Sequence, residues 1–377
     1  MGQRSIGIGM VGYKFMGKAH SHAYRDLPFY FDSDPYPVMR AVAGRNADSV
    51  AEAAQRMGWS GYETDWRRLL ERDDIDVIDI CTPNVNHAEI AIAAAEAGKH
   101  ILCEKPLAMN VREARRVLEA ARKAGIIHMI CHNYRFAPAV QLAKKLIEEG
   151  KLGRIYHIRA TYLQDWLADP MSPYSWRMSK EVSGSGTHGD LASHSIDLAR
   201  FLVGEIRSVS GLMPTFVKER PTSDGTTMQV DVDDASLFMA KFACGAVGTF
   251  EATRYARGNR NGNRFEINGE RGSLRWDMEK MNQLEVYFSD DPADLQGFRT
   301  ISCTENSHPY GDKYWPAGHI IGYEHTFINL MHEFSQGIAR GSNPEPNFED
   351  GLRNQLVLEA VEESNASGRW IDVEEYE

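Results

Sequence analysis

Lys105 follows a short apolar run and stands between Glu104 and Pro106, while Asp190 and His194 lie four residues apart in Gly189-Asp190-Leu191-Ala192-Ser193-His194. On a helix that spacing places both side chains on one face. A carboxylate beside an imidazole fixes its tautomer and raises its basicity, and alcohol oxidation needs such a base to take the hydroxyl proton as hydride leaves carbon. An ammonium group near the same hydroxyl stabilises developing alkoxide charge. Each residue also has a plainer reading: Asp190 as a first-turn helix acid, His194 as a packed histidine, Lys105 as an exposed lysine. Position separates the two for Lys105, because a lysine at the carboxyl end of a parallel strand faces a cofactor cleft, and Pro106 has no amide donor to lose there.

A second constellation opens the chain. Gly7-Ile8-Gly9-Met10-Val11-Gly12 matches a dinucleotide-binding glycine pattern literally, but its turn would fall inside an apolar strand. The register Gly12-Tyr13-Lys14-Phe15-Met16-Gly17 puts the turn after the strand and is preferred, with Lys14 in place of the middle glycine adding charge near the phosphates. After the second strand come Gly44, Arg45 and Asn46, where NAD enzymes usually carry an acid for the ribose hydroxyls. No carboxylate stands there. Arg45 leans slightly towards the 2′-phosphate of NADP, or is a solvated cation, and the cofactor is left as NAD or NADP. Thr82-Pro83-Asn84 follows the third strand in the same way, with His87 opening the next helix, although capping alone accounts for Asn84 or Asn86. The remaining histidines form no convincing liganding set, and no metal is expected.

The elements that position these residues fall into two textures. Strands are expected at 5–11, 38–43, 77–81, 100–103 and 127–131, with helices at 16–27, 47–57, 65–72, 86–97 and 111–124 between them. Continuous apolar runs separated by amphipathic helices predict a doubly wound parallel sheet. After a helix at 138–149, strands follow one another directly at 155–162, 209–217, 235–242, 246–255, 264–268, 273–276 and 284–288. Hairpin chemistry such as Asn268-Gly269 links them, so a large, mostly antiparallel open sheet is expected, with helices at 191–202, 323–337 and 348–364 and a polar loop at 222–233. The expected domains are a Rossmann domain over 1–132 and an α+β substrate-binding and oligomerisation domain over 133–377, the last helix being able to pack back on the first.

The totals bound the function. A chain of 377 residues exceeds one ordinary core, and 42% apolar with 25% charged residues is globular. The net charge of −11 lacks the basic stripe that nucleic acid demands. No stretch approaches a membrane span and no secretory leader is recognisable, so a cytoplasmic protein is expected. Five scattered cysteines without a C-x-x-C pair argue against a disulfide framework or a zinc knuckle.

Taken in order, Gly12 to His20, Thr82 to His87, Glu104-Lys105-Pro106, Asn133-Tyr134-Arg135-Phe136 and Gly189-Asp190 through His194 to Asp197 resemble the Gfo/Idh/MocA oxidoreductases over nearly the whole chain. The resemblance implies Lys105, Asp190 and His194 as catalytic residues, with Glu104 and Lys105 beside a nicotinamide cofactor. The segments Thr161 to Trp166, Asp169-Pro170, Ser172-Pro173 and Ser175-Trp176-Arg177, with His308 to Gly311 and Trp315-Pro316, are similar to the branch that oxidises the C3 hydroxyl of the anhydro-pyranose levoglucosan. That branch implies Tyr134, Gln164, Trp166 and Arg177, with Asp190 and His194, around a sugar or polyol. Aromatic faces suit the C–H side of a pyranose, and amide and guanidinium groups its hydroxyls, although sheet-edge packing also uses aromatics. The missing acid after the second strand departs from the pattern. The family habit is a homotetramer or dimer, consistent with a broad one-sided sheet. Two other readings stay open: an epimerase or glycosidase that recycles its cofactor, and a non-catalytic sugar sensor, against which the intact Lys105, Asp190 and His194 speak.

Overall fold

The strand Ser5–Val11 (β1) is buried in all but its first residue, and the alternating elements that follow explain why both of its faces are covered. The computed structural model describes residues 4–374. Next come Phe15–Tyr30 (α1), Tyr36–Ala43 (β2), Ala47–Met57 (α2), Tyr62–Glu63 (β3), Arg67–Leu70 (α3) and Val77–Ile80 (β4). His87–Glu96 (α4), His100–Cys103 (β5), Val111–Ala124 (α5) and His128–Ile130 (β6) complete the series. The six strands pair in parallel in the order β3-β2-β1-β4-β5-β6. Strand order therefore reverses between the neighbours β1 and β4, the place where open parallel sheets bind ligands outside their carboxyl ends.

Local chemistry sets the helix limits. Asn46 and Asn110 cap α2 and α5 by accepting the amides of Ser49 and Glu113, each at 2.9 Å. Both helices end at a left-handed glycine, Gly58 and Gly125.

The second sheet has nine strands. Pro138–Glu148 (α6), Ile155–Leu163 (β7), the short helix Lys180–Ser183 (α7) and Ser193–Leu202 (α8) lead into Ile206–Leu212 (β8). The hairpin of Glu219–Pro221 (β9) and Thr227–Gln229 (β10) frames the tip of the expected polar loop. Ala235–Phe242 (β11), Val247–Thr253 (β12), Gly262–Gly269 (β13), Gly272–Asp277 (β14), Gln283–Phe288 (β15) and Arg299–Ser302 (β16) follow. Tyr323–Arg340 (α9), Phe348–Ser367 (α10) and Ile371–Asp372 (β17) end the order.

The sheet runs β16-β15-β14-β13-β7-β12-β11-β8-β17, antiparallel except where β7 and β12 lie parallel. Residues of β11 alternate buried and exposed, as a sheet covered on one face requires. On the inner face the rings of Phe238 and Phe250 stack at 4.4 Å.

Three details depart from expectation. The strand expected at 209–217 is Ile206–Leu212, ending before Pro214, which lacks the amide a ladder uses. The helix expected from residue 191 is preceded by a π turn, His188–Ala192, and becomes α-helical at Ser193. The strands β3, β9, β10, β16 and β17 were not anticipated.

The described residues group into two compact units, one over 4–136 and 322–352 and the other over 137–321 and 353–374. In the first, α9 returns from late in the chain to pack on α1, with the ring of Phe327 5.4 Å from that of His20. The proposed domain limits at residues 132 and 133 differ from this grouping chiefly in α9, whose amphipathic pattern carries no mark of which core it covers.

Candidate active site

In the first unit, the carboxyl ends of β1, β4 and β5 carry the candidate cofactor residues. Gly7 and Gly9 lie inside β1, and Gly12 is the first residue beyond it. Its φ of 103° is left-handed, and a Cβ there would stand 2.5 Å from the Cys81 carbonyl oxygen, so only glycine fits the turn beside β4. Lys14 occupies the N-cap of α1, Phe15 and Met16 open that helix, Gly17 is buried within it, and Tyr13 is half-buried. A helix N-terminus at a strand-tip turn is an anion site of the kind a pyrophosphate uses. At the end of β2, Gly44 donates its amide to the Glu63 carbonyl at 3.0 Å, and Arg45 is exposed.

Thr82, Pro83 and Asn84 follow β4, half-buried, and Thr82 Oγ1 is a buried hydroxyl without a protein partner. That orphaned group and the tight Gly12 turn both fit a bound dinucleotide at this end of the sheet. His87, fully buried, is engaged by the backbone: Nδ1 lies 2.8 Å from the Pro106 carbonyl oxygen and Nε2 3.0 Å from that of Thr82. Burial pulls its pKa below the usual imidazole value, against the pull of the two carbonyls. The ring braces the Thr82 turn against the turn after β5. In that second turn Glu104 is buried, Lys105 half-buried, and Glu104 Oε2 accepts the Lys105 amide at 3.2 Å. Tyr134 is also in this unit, buried, with its ring 6.3 Å from that of Tyr323.

In the second unit, the candidate substrate residues form one linked cluster. The stretch Gly184 to Gly189 folds onto Asp233, whose carboxylate accepts the amides of Gly186 at 2.7 Å and His188 at 2.8 Å. A Cβ on Gly186 would stand 1.9 Å from the Asp233 carbonyl oxygen, so this glycine serves close approach. The π turn then presents Asp190, and His194 follows on the first turn of α8, buried, with its ring 5.9 Å from Tyr162.

Asp190 Oδ2 accepts from Arg254 at 2.7 Å and lies 4.0 Å from Arg177 Nε. The Arg254 guanidinium lies 5.3 Å from the Trp166 ring centre, and Trp166 Nε1 donates to Gln164 Oε1 at 2.8 Å. Gln164 Nε2 and the Tyr162 hydroxyl both donate to Asn261 Oδ1, at 2.9 and 2.7 Å. Buried Arg220 holds the neighbouring loop, donating to the carbonyls of Leu167 at 2.7 Å, Asp169 at 2.8 Å and Ser172 at 3.2 Å. Gln164, Trp166, Arg177, Asp190 and His194 are thus brought into one neighbourhood. Arg254, Asn261, Tyr162 and Arg220 complete it and went unnoticed in the sequence; Arg254, immediately after a strand beside Thr253, was the one with a positional signal.

A doubly wound sheet with a tight glycine turn at its switch point and a lysine at a neighbouring strand tip defines a nicotinamide-dependent oxidoreductase. Residues 6–132 match the oxidoreductase family model for the NAD-binding Rossmann fold, and residues 140–275 match the GFO/IDH/MocA C-terminal domain. The chain belongs to the Gfo/Idh/MocA oxidoreductase family. It is 47% identical to levoglucosan dehydrogenase of Pseudarthrobacter phenanthrenivorans over 385 residues, covering 98% of each chain. Among solved structures, an oxidoreductase domain protein from Kribbella flavida is 50% identical with a TM-score of 0.97, over 99% of this chain and 100% of that one. A levoglucosan dehydrogenase in complex with NADH and levoglucosan is 48% identical with a TM-score of 0.96, at the same coverage. Among the described residues no helix is long and apolar enough to cross a membrane.

Proposed function

We propose that this enzyme oxidises a secondary hydroxyl of a pyranose sugar or polyol, with C3 of levoglucosan or a related glycoside as the leading candidate, and NAD as the hydride acceptor. The observation that carries the reading is the linked cluster of Gln164, Trp166, Arg177, Asp190 and Arg254, in which an indole face, an amide, two guanidinium groups and a carboxylate are held together. That set matches a pyranose, one side of which is C–H and the other hydroxyl. A levoglucosan dehydrogenase 47% identical to this chain has been solved with NADH, which supports NAD over the NADP towards which Arg45 leans.

Gly12 to Gly17 would hold the pyrophosphate of the dinucleotide, with Thr82 to Asn84 beside it, and the nicotinamide would supply the hydride acceptor when bound. His194 accepts the hydroxyl proton, Asp190 sets its orientation, and Lys105 stabilises alkoxide charge as it develops. Gln164, Trp166, Arg177 and Tyr134 hold the ring so that one hydroxyl meets these groups. The reading includes a cytoplasmic homo-oligomer, a dimer or tetramer, in which Leu237, Met239 and Val247, exposed on the large sheet, meet a second copy.

The test is the absorbance of reduced cofactor, with NAD⁺ and NADP⁺ in parallel, against levoglucosan, glucose, inositols and simple glycosides. Reduction with an anhydro-sugar and NAD⁺ is expected. Sugar converted without net reduction would replace the dehydrogenase reading with cofactor recycling, and no conversion of any sugar would end it.

A further inference from the structure

Behind the tip of β5 lies a group of ionisable side chains that the hydride-transfer scheme leaves unused. His20, in α1, has no exposed surface. Its Nδ1 lies 2.9 and 3.0 Å from the two carboxylate oxygens of Asp79, a fully buried residue within β4, and its Nε2 lies 3.0 Å from Glu104 Oε1. Both ring nitrogens therefore face carboxylate oxygens, which only accept when ionised. A neutral ring would point a lone pair at one of them, whereas an imidazolium donates to both.

The surroundings agree. Burial, the largest single influence, opposes the charge, but the Asp79 carboxylate outweighs it and holds the His20 pKa well above the ordinary imidazole value; the Cys81 sulfur lies 3.3 Å from Nδ1. The other groups facing the cluster are the Tyr24 hydroxyl one turn along α1, the Cys131 thiol beyond β6 and the Phe327 ring of α9. Burial first, and then the nearby carboxylates, push the ionisation of Tyr24, Cys81 and Cys131 well up, so these groups stay protonated at neutral pH.

Stability alone does not account for such a cluster, since buried ions pay a desolvation penalty that a well-packed apolar substitute avoids. The chain of contacts leads instead to the strand tip, where Glu104 spans His20 through Oε1 and the Lys105 amide through Oε2.

We propose that His20 is a positioning residue for Lys105: as a buried imidazolium it clasps Asp79 and Glu104 together, so that Glu104 holds the Lys105 backbone and fixes the approach of the ammonium group. The proposal rests on the reading of Lys105 as the catalytic cation. With His20 replaced by glutamine, the two buried carboxylates lose the cation they share. Removing the Asp79 charge as well restores the balance.

The test compares H20Q, the double variant H20Q/D79N and K105A in the intact enzyme. H20Q is expected to lower kcat by about tenfold to a hundredfold, as loss of alignment away from the chemistry does. Its KM for NAD⁺ is expected to stay within about twofold of wild type, because cofactor binding is not the interaction removed. The double variant recovers part of kcat; a packing role would make it worse than the single variant, and that result would overturn the proposal. If K105A loses turnover while H20Q keeps its kcat, the positioning role fails and the role of Lys105 stands. Turnover unchanged in K105A removes the underlying reading and the inference with it. Nitrogen-15 NMR of the wild-type enzyme tests the ring without any variant: one histidine is expected to stay doubly protonated above the pH at which the other rings lose their charge. No such signal, or a metal ion bound stoichiometrically among His20, Asp79 and Cys81, would overturn the imidazolium.

Discussion

Arg254, with 1% of its side chain exposed, donates to Asp190 Oδ2 at 2.7 Å and to the Gly186 carbonyl at 3.3 Å, so one buried guanidinium ties the candidate catalytic acid to the glycine-rich turn that presents it. Replacing it by alanine leaves the Asp190 carboxylate without this partner and opens space beneath Trp166. The expected loss is about 3 kcal/mol of stability, in the range found for breaking buried ion pairs. A raised KM for the sugar should accompany it, with KM for NAD⁺ unchanged. Arg254→Lys should recover little, because an ammonium lacks the planar guanidinium that lies against the Trp166 ring. Denaturant unfolding and steady-state kinetics on both variants check this.

Lys105→Ala should lower kcat by roughly a hundredfold or more, the usual loss when one donor to a developing oxyanion is removed. The glycine turn and the Thr82 to Asn84 segment are untouched, so NAD⁺ should still quench protein fluorescence with its wild-type affinity. Full turnover would take Lys105 out of the scheme.

The doubly wound half was legible because its strands are buried on both faces and read as unbroken apolar runs, Val77–Ile80 being the example; Asp79 is the exception, and it is the residue paired to His20. The parallel pairing of β7 with β12 was not legible, since strands distant in sequence choose neighbours by tertiary packing. Nor was the π turn at His188–Ala192, where one extra residue per turn leaves no mark in the pattern. His20 was set aside with the histidines lacking a liganding set, because its partners come from separate elements that only the fold assembles. Nothing in the sequence marks Gly186, among the glycines before Asp190, as the one required for closeness to Asp233.

Gly12→Ala tests the cofactor turn. A left-handed backbone costs a side-chain-bearing residue about 1–2 kcal/mol, and the Cβ would also press on the Cys81 carbonyl. The turn should shift away from β4. NAD⁺ affinity should fall more than thermal stability does, measured by titration calorimetry beside a melting curve; unchanged affinity with lowered stability would make the turn purely structural.

His128 ties stability to pH. Burial, chiefly, with a smaller contribution from Arg122 and against the pull of Glu349, lowers its pKa from 6.5 to about 4. Its ring stacks on Phe348 at 4.6 Å, and Nδ1 accepts the Phe348 amide at 3.2 Å, so a proton on Nδ1 would meet that N–H head-on. The unfolded chain binds the proton below about pH 6.5 while the folded one does not, so stability is full above that value and falls as pH drops towards 4. A shift of this size corresponds to roughly 3 kcal/mol over the window. His87, His100 and His325, also lowered by burial, act in the same direction, and His20, raised, acts against them. Denaturant midpoints taken from pH 8 down to about pH 4 should therefore decline, and His128→Gln, an amide that takes up no proton, should start less stable and decline less steeply. Equal slopes for the two proteins would assign the acid sensitivity to other groups.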